Sequence, residues 1–139
     1  MRLALTPIVE RLKAAGCRQV EGVLELVDVQ DTPRALPAFY VVPGRERAAP
    51  NSLTGAIDQA VDCDFSVIIV VEGARRNRSG ISEEVKAQLD IVMTAIAGWT
   101  HPDASRACEY AGGAAASAGA RSFAWDCRFR TRYHFRKTR

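Results

Sequence analysis

The sequence lacks the patterns that mark membrane-spanning and exported chains. None of its apolar runs reaches the roughly 18 residues that a transmembrane helix needs. Near the start, Pro7, Glu10, Arg11 and Lys13 interrupt the apolar core that a signal peptide would require. We therefore expect no membrane partner and a protein that stays in the cytosol where it is made. With 139 residues, 47% of them apolar, a single domain over residues 1–139 is the simplest expectation.

Close pairs of metal-binding residues are also missing. Neither His101 nor His134 has a second histidine or a cysteine at the spacing typical of zinc sites. Four cysteines could form two disulfides, but nothing else in the sequence indicates secretion. We expect four free and mostly buried thiols, a surface position for His101, and no metal or cofactor. The cysteines are dispersed along the chain: Cys17, Cys63, Cys108 and Cys127.

Catalytic and nucleotide-binding motifs are absent as well. The sequence contains no G-x-x-x-x-G-K-[ST], G-x-G-x-x-G, G-x-S-x-G or H-E-x-x-H. Asp62 and Asp64 are the best acidic pair, because alternation along a strand puts them on one face. No third ligand follows nearby, so solvated residues on a β-arm are the simpler interpretation. An enzyme using this pair is the weakest of three functional hypotheses.

Two helices are indicated by apolar residues at spacings of three and four. The first is predicted to begin with Thr6 as its N-cap and to end at Gly16. The second is predicted to begin with Ser79 or Ser82 as its cap and to end at Gly98. Its apolar stripe is the clearest helical pattern in the chain.

Five stretches are typical of strands: "QVEGVLELVDV", "AFYVVPG" ended by Pro43 and Gly44, residues 57–72, "RACEYAGG", and residues 121–136. The small-residue run "AAASAGA" is predicted to be a loop. In residues 57–72 one face is apolar throughout, while the other is polar at first and becomes apolar at Ile68. This pattern is typical of a strand that enters a sheet from a projecting hairpin, with its arm loop at about residues 44–60. The predicted fold is α+β, with two helices on one mostly antiparallel sheet of four to five strands, or a mixed sheet as the alternative.

The net charge of +3 hides an asymmetry along the chain. Residues 128–139 hold six Lys or Arg and no acid, which leaves 13 basic against 16 acidic residues elsewhere. Aromatic and basic residues alternate there, so the arginines form a row spaced about 6–7 Å apart on one strand face. Three interpretations of this row stay open: a solvated face, a subunit interface with carboxylates, and contact with nucleic acid. The row consists of Arg128, Arg130, Arg132 and Arg136.

Several stretches together resemble the phage tail terminator family, small proteins of tailed phages and prophages. They are the "ERAAPN…TGA" loop, the helix end "IAGWTHPD", "CEYAGG" and the last strand "FAWDCRFRTRY". The resemblance extends from "LTPIVERLKA" to about Tyr133. The chain departs from the family in its more basic last strand and in Cys63-Asp64, where a charged pair is commoner.

The resemblance implies a structural virion protein without catalytic activity or cofactor. Family members form a ring, typically of six subunits, that caps the finished tail tube, stops its polymerisation and offers a surface to the head. The implied partners are further copies of the chain, the tail tube protein and the head–tail connector protein. The implied location is the tail of the virion, and the host cytoplasm during assembly. A nucleic-acid-binding module that uses the basic strand is the alternative function.

The resemblance also gives the arm and the basic strand possible roles. The arm would contact a neighbouring subunit or the tube. The arginine row would meet acids of a neighbour, such as Asp62, Asp64, Glu83 or Glu84, or would line the channel and touch DNA without sequence preference. The arm residues expected at this interface are Arg45, Glu46, Arg47, Pro50, Asn51, Asp62 and Asp64.

Overall fold

The computed structural model describes residues 1–22, 36–72, 78–118 and 122–138. In these residues the strands form one open mixed sheet in the order β1-β2-β3-β5-β4. β1 runs parallel to β2, and the other neighbouring strands are antiparallel. The α+β prediction and the order of elements are confirmed. The elements are α1 (Thr6–Ala14), β1 (Gln19–Glu21), β2 (Ala38–Ala48), β3 (Ala56–Glu72), α2 (Arg78–Ile96), β4 (Glu109–Ala118) and β5 (Ser122–Thr138).

α1 begins one residue earlier than predicted. Leu5 is its N-cap and makes no side-chain capping hydrogen bond, so the prediction of Thr6 as the cap is wrong. Pro7 still lies in the first turn, where a missing N–H removes no helical hydrogen bond. Gly16 follows the helix with φ +105°, a left-handed conformation that favours glycine, as predicted for the helix end.

α2 also begins before its predicted cap. Its first residue is Arg78, so Ser79 and Ser82 lie within the helix and neither is the N-cap. The helix ends at Ile96, and Gly98 follows with φ +84°, as predicted. Its buried side is the predicted apolar stripe, with Val92 and Ile96 fully buried.

The core lies between the helices and one face of the sheet. Phe65 of β3 stacks against Phe129 of β5 with 5.6 Å between ring centroids. The guanidinium Nε of Arg11 on α1 donates to the carbonyl oxygen of Ala95 on α2 at 2.8 Å, which ties the helices together. The predicted apolar face of β3 is confirmed, since all its members are buried: Val61, Cys63, Phe65, Val67, Ile69 and Val71.

β2 does not end at Pro43 and Gly44, so that prediction is wrong. Pro43 is opposite Phe65 and Glu46 is opposite Cys63, so one extra residue of β2 forms a β-bulge and the strand continues to Ala48. A Cβ on Gly44 would lie 2.7 Å from the carbonyl oxygen of Asp64, so the close approach of the two strands requires glycine.

Two other strand predictions need revision. Residues 114–118, predicted as a loop, belong to β4, which pairs with β5 throughout its length. The first predicted strand is present as β1 at residues 19–21, while residues 23–29 of that prediction lie outside the described residues.

Candidate functional site

The β-arm is the end of the sheet beyond the bulge, formed by residues 44–61 and 133–138. The predicted hairpin is present, but a third strand supports it: Ala56 at the start of β3 is opposite Thr138 near the end of β5. β2 adds the other edge, with Ala48 opposite Val61. β3 is paired on both sides from Val61 onward, whereas its residues 56–60 pair with β5 alone, so the arm is three-stranded at its base and two-stranded near its tip.

The tip of the arm, residues 49–55, is held in shape by the side chain of Asn51, while Gln59 Nε2 donates to the carbonyl oxygen of Ala49 at 2.9 Å. Asn51 Nδ2 donates to the carbonyl oxygens of Leu53 at 3.1 Å and Ala56 at 2.9 Å. Asn51 Oδ1 accepts from the backbone N–H of Asp58 at 3.0 Å and from that of Leu53 at 3.4 Å. Gly55, with φ +78°, turns the chain back into β3. Asn51 was expected at the interface, but its contacts within the chain position the tip.

Leu53 is the apolar side chain that this tip displays. It is 50% exposed, the highest value among the exposed large apolar residues of the described chain. Lys137 of β5 lies beside it, since both line one recess at the tip. The tip therefore presents one exposed apolar side chain on a loop whose shape is fixed in advance, which lowers the entropy that binding would cost.

Cross-strand ion pairs line the face of β3 and β5 that points away from the helices. Arg132 Nε lies 2.7 Å from Asp62 Oδ1, and Arg130 Nε lies 3.1 Å from Asp64 Oδ1. These carboxylates belong to the same chain as the arginines, whereas the sequence had suggested a neighbour as one source of acids. We call the whole set the charge ladder: Asp58, Asp62, Asp64, Asp126, Arg128, Arg130, Arg132, His134 and Arg136.

The ladder stabilises the charged forms of its carboxylates. His134 donates to Asp58 at 3.0 Å, and this hydrogen bond, with the charge of Arg136, lowers the pKa of Asp58. The hydrogen bond from Arg132 lowers the pKa of Asp62 and raises that of Arg132 itself. With four arginines against four aspartates and a neutral histidine, the ladder carries no formal net charge. The arginine row is therefore a poor match to a strip of phosphates.

Glu46 lies on the opposite face of the arm from the ladder. Its Oε1 accepts hydrogen bonds from Tyr133 Oη and from the backbone N–H of Arg2, both at 3.1 Å. Glu46 therefore holds the first residues of the chain against the arm. Of the other residues expected at the interface, Arg45, Arg47 and Pro50 have exposed side chains.

His101 is fully buried, so the prediction of a surface position is wrong. Its Nε2 lies 2.7 Å from the carbonyl oxygen of Ala4, and its Nδ1 accepts from the backbone N–H of Asp103 at 2.9 Å. An N–H on Nε2 satisfies both contacts, so the neutral ring joins the first residues to the loop after α2. The sequence feature that could have indicated this role for His101 is the turn "HPD", in which the backbone N–H of Asp103 needs a hydrogen-bond acceptor.

The cysteines are buried and free, as expected. Burial raises the pKa of the Cys63 and Cys127 thiols to about 12, and also raises the pKa of Cys17 and Cys108. None of them has the exposed, electropositive setting of a reactive thiolate. Within the described ranges, no three His, Cys, Asp or Glu residues come together as metal ligands.

An open groove of about 550 Å³ lies between α1 and α2 on the outer side of the helices. Ile91, 38% exposed, forms part of its apolar wall. No sequence pattern indicated this groove, because it depends on how the two helices pack. Its lining residues are Arg11, Ala14, Ala15, Asp90, Ile91, Thr94 and Ala95.

A family model for phage tail terminator proteins matches residues 1–139, and the chain belongs to that family. The protein is therefore a structural, non-enzymatic component of a phage tail. Among the described helices, none is long and apolar enough to cross a membrane.

The fold is also found in solved structures. A chain from the virion of a native gene transfer agent particle superposes with a TM-score of 0.59 at 18% sequence identity, over 96% of each chain. No match was found among curated proteins.

Proposed function

We propose that the protein forms a ring that caps the tail tube, ends its polymerisation and provides the surface on which head and tail join. The family match over the whole chain carries this proposal. The partners are then other copies of the chain, the tail tube protein and the head–tail connector protein. Assembly takes place in the host cytoplasm before the finished tail joins the head, in a phage or a prophage.

The chain has two different surfaces of the kind that a closed ring needs, and the number of subunits, about six, comes from the family resemblance alone. A ring uses head-to-tail contacts, so each subunit needs two different and complementary surfaces. The β-arm, with exposed Arg45, Arg47 and Pro50, is one such surface and extends away from the packed body. The exposed edges of the charge ladder, where Arg128 and Arg136 are 62% and 68% exposed, are a second region for contact with a neighbour or the tube.

The proposal is tested by measuring mass and tube length together. Light scattering and electron microscopy of the purified protein, alone and with its tail tube protein, should show rings of about six copies, free or on tube ends. Added during tube polymerisation, the protein should shorten the mean tube length in proportion to its concentration. A chain that stays monomeric in both samples and leaves tube length unchanged would overturn the proposal.

A further inference from the structure

We propose that the tip of the β-arm of one copy docks into the groove between α1 and α2 of the next copy, with Leu53 as its apolar anchor. This inference rests on the proposed ring and names the contact that closes it. The two surfaces are different and belong to the same chain, which is the requirement for a head-to-tail interface.

The conformation of the tip is already fixed in the isolated chain. Asn51 fixes the loop through four hydrogen bonds, so presenting Leu53 loses little conformational entropy on binding. Half of the Leu53 side chain is exposed to solvent in the isolated chain. Burying it in an apolar groove removes that surface from water.

The groove between α1 and α2 also has its shape before any partner binds. Ala14, Ala15 and Ala95 have small side chains, which leave room for a leucine between the helices. Arg11 is held in place by its hydrogen bond to the carbonyl oxygen of Ala95 and by its position 5.9 Å over the Trp99 ring. Arg11 therefore forms a wall of the groove and does not fill it.

Charge complementarity favours a second copy as the occupant. Lys137 lines the tip beside Leu53, and Asp90 is the carboxylate that lines the groove. Asp90 is 63% exposed, and its pairing with Lys86 at 3.0 Å is a helical surface contact of little strength. With Leu53 seated near Ile91, Lys137 of one copy can pair with Asp90 of the next.

The arm cannot reach the groove of its own chain. The helices pack on the part of β3 that begins at Phe65, nine residues from the start of the strand at Ala56. At about 3.4 Å per residue, the start of β3 at the tip lies roughly 30 Å along the strand from Phe65, where the helix-covered part of the sheet begins. Because β3 and β5 pair without a break from Ala56–Thr138 to Phe65–Phe129, the arm is a continuous extension of the sheet, and the proposed contact therefore joins two copies.

Two kinds of variant test the contact. Leu53→Glu should raise the concentration at which rings form at least tenfold, while circular dichroism shows an unchanged fold. Lys137→Glu and Asp90→Lys should each weaken the ring, and the double variant should restore it. Glu72→Lys, a charge change at the far end of β3, is the matched control and should leave assembly unchanged.

Cross-linking gives an independent readout. In a chain with Leu53→Cys and Ile91→Cys, mild oxidation should produce a series of covalent oligomers. The four native thiols are buried, so they should not add cross-links of their own. Two results would show that the docking contact is wrong while the ring proposal stands. One is that Leu53→Glu forms rings as readily as the unaltered protein. The other is that the charge swap gives no rescue and oxidation gives no covalent oligomers. If the unaltered protein forms no ring even on tube ends, both proposals fail.

Discussion

Asp62 and Arg132 are directly opposed on β3 and β5, with 2.7 Å between Asp62 Oδ1 and Arg132 Nε. They are 70 residues apart in the sequence, where they belong to an acidic stretch and a basic stretch. The antiparallel register brings the two stretches together, so four of the six basic residues of the last stretch are offset by aspartates within the same chain. This pairing determines how the protein should respond to acid and to nucleic acid.

The ladder should make stability depend on acid pH. The pKa values of Asp58 and Asp62 are lowered in the folded chain by hydrogen bonds from His134 and Arg132. Their stabilising contribution is therefore complete above the unfolded pKa of about 3.8 and is lost as pH falls through the lower folded pKa. Urea unfolding should show a free energy that declines below about pH 5.

Replacing one ladder carboxylate should reduce this dependence. Asp62→Asn should lose stability at pH 7, and its difference from the unaltered protein should shrink as pH falls below the unfolded pKa of about 3.8, because the folded carboxyl has the lower pKa. Glu10→Gln, at an exposed position on α1, is the control. Equal pH slopes for the unaltered chain and Asp62→Asn would show that the pair contributes nothing.

Nucleic-acid binding should be weak in the unaltered chain and should increase when aspartates of the charge ladder are neutralised. Since four aspartates offset four arginines, we expect little binding to a short DNA duplex. Asp62→Asn with Asp64→Asn frees two arginines and should strengthen binding roughly tenfold at about 50 mM salt, with a steeper salt dependence. Fluorescence anisotropy measures both. Tight binding by the unaltered chain would instead favour the nucleic-acid alternative.

His101 should contribute more to stability than His134. His101→Ala removes the partner of the Ala4 carbonyl and of the Asp103 N–H, and leaves a cavity, at a cost of about 2–4 kcal/mol. His134→Ala, which changes a partly exposed position, should cost less than about 1 kcal/mol. Urea unfolding of the two variants provides the comparison, and equal losses would contradict the role given to His101.

The thiols should be protected in the folded protein. Burial raises the pKa of all four, to about 12 for Cys63 and Cys127, so little thiolate forms at pH 8. A colorimetric thiol reagent should find almost no reactive cysteine in the native chain and all four after denaturation. Rapid native labelling of one or more cysteines would show that the core opens readily.

The elements that sequence reasoning identified well are those whose burial repeats with a simple period. In β5 and β3, apolar residues on the buried face alternate with polar residues on the other face. The period of two is therefore visible in the sequence itself. β4 was harder, since alanine and glycine have low strand propensity and residues 114–118 become a strand through pairing with β5.

Features that depend on distant parts of the chain were not predictable. The burial of His101 is decided by contact with Ala4, 97 residues away. The charge ladder depends on the register of β3 and β5, and a shift of one residue would separate Asp62 from Arg132. The groove between α1 and α2 depends in the same way on tertiary packing.

The bulge between Pro43 and Glu46 allows the length of the arm to vary independently of the body. Before it, Pro43 shares the helix-facing side with Phe65, and after it Glu46 shares that side with Cys63. Beyond this point the sheet has no helix packed on it, so matched insertions of two residues in each of the three strands would extend the arm by about 7 Å and keep every side chain on its face. Arm length can thus change without altering any packing in the body of the protein.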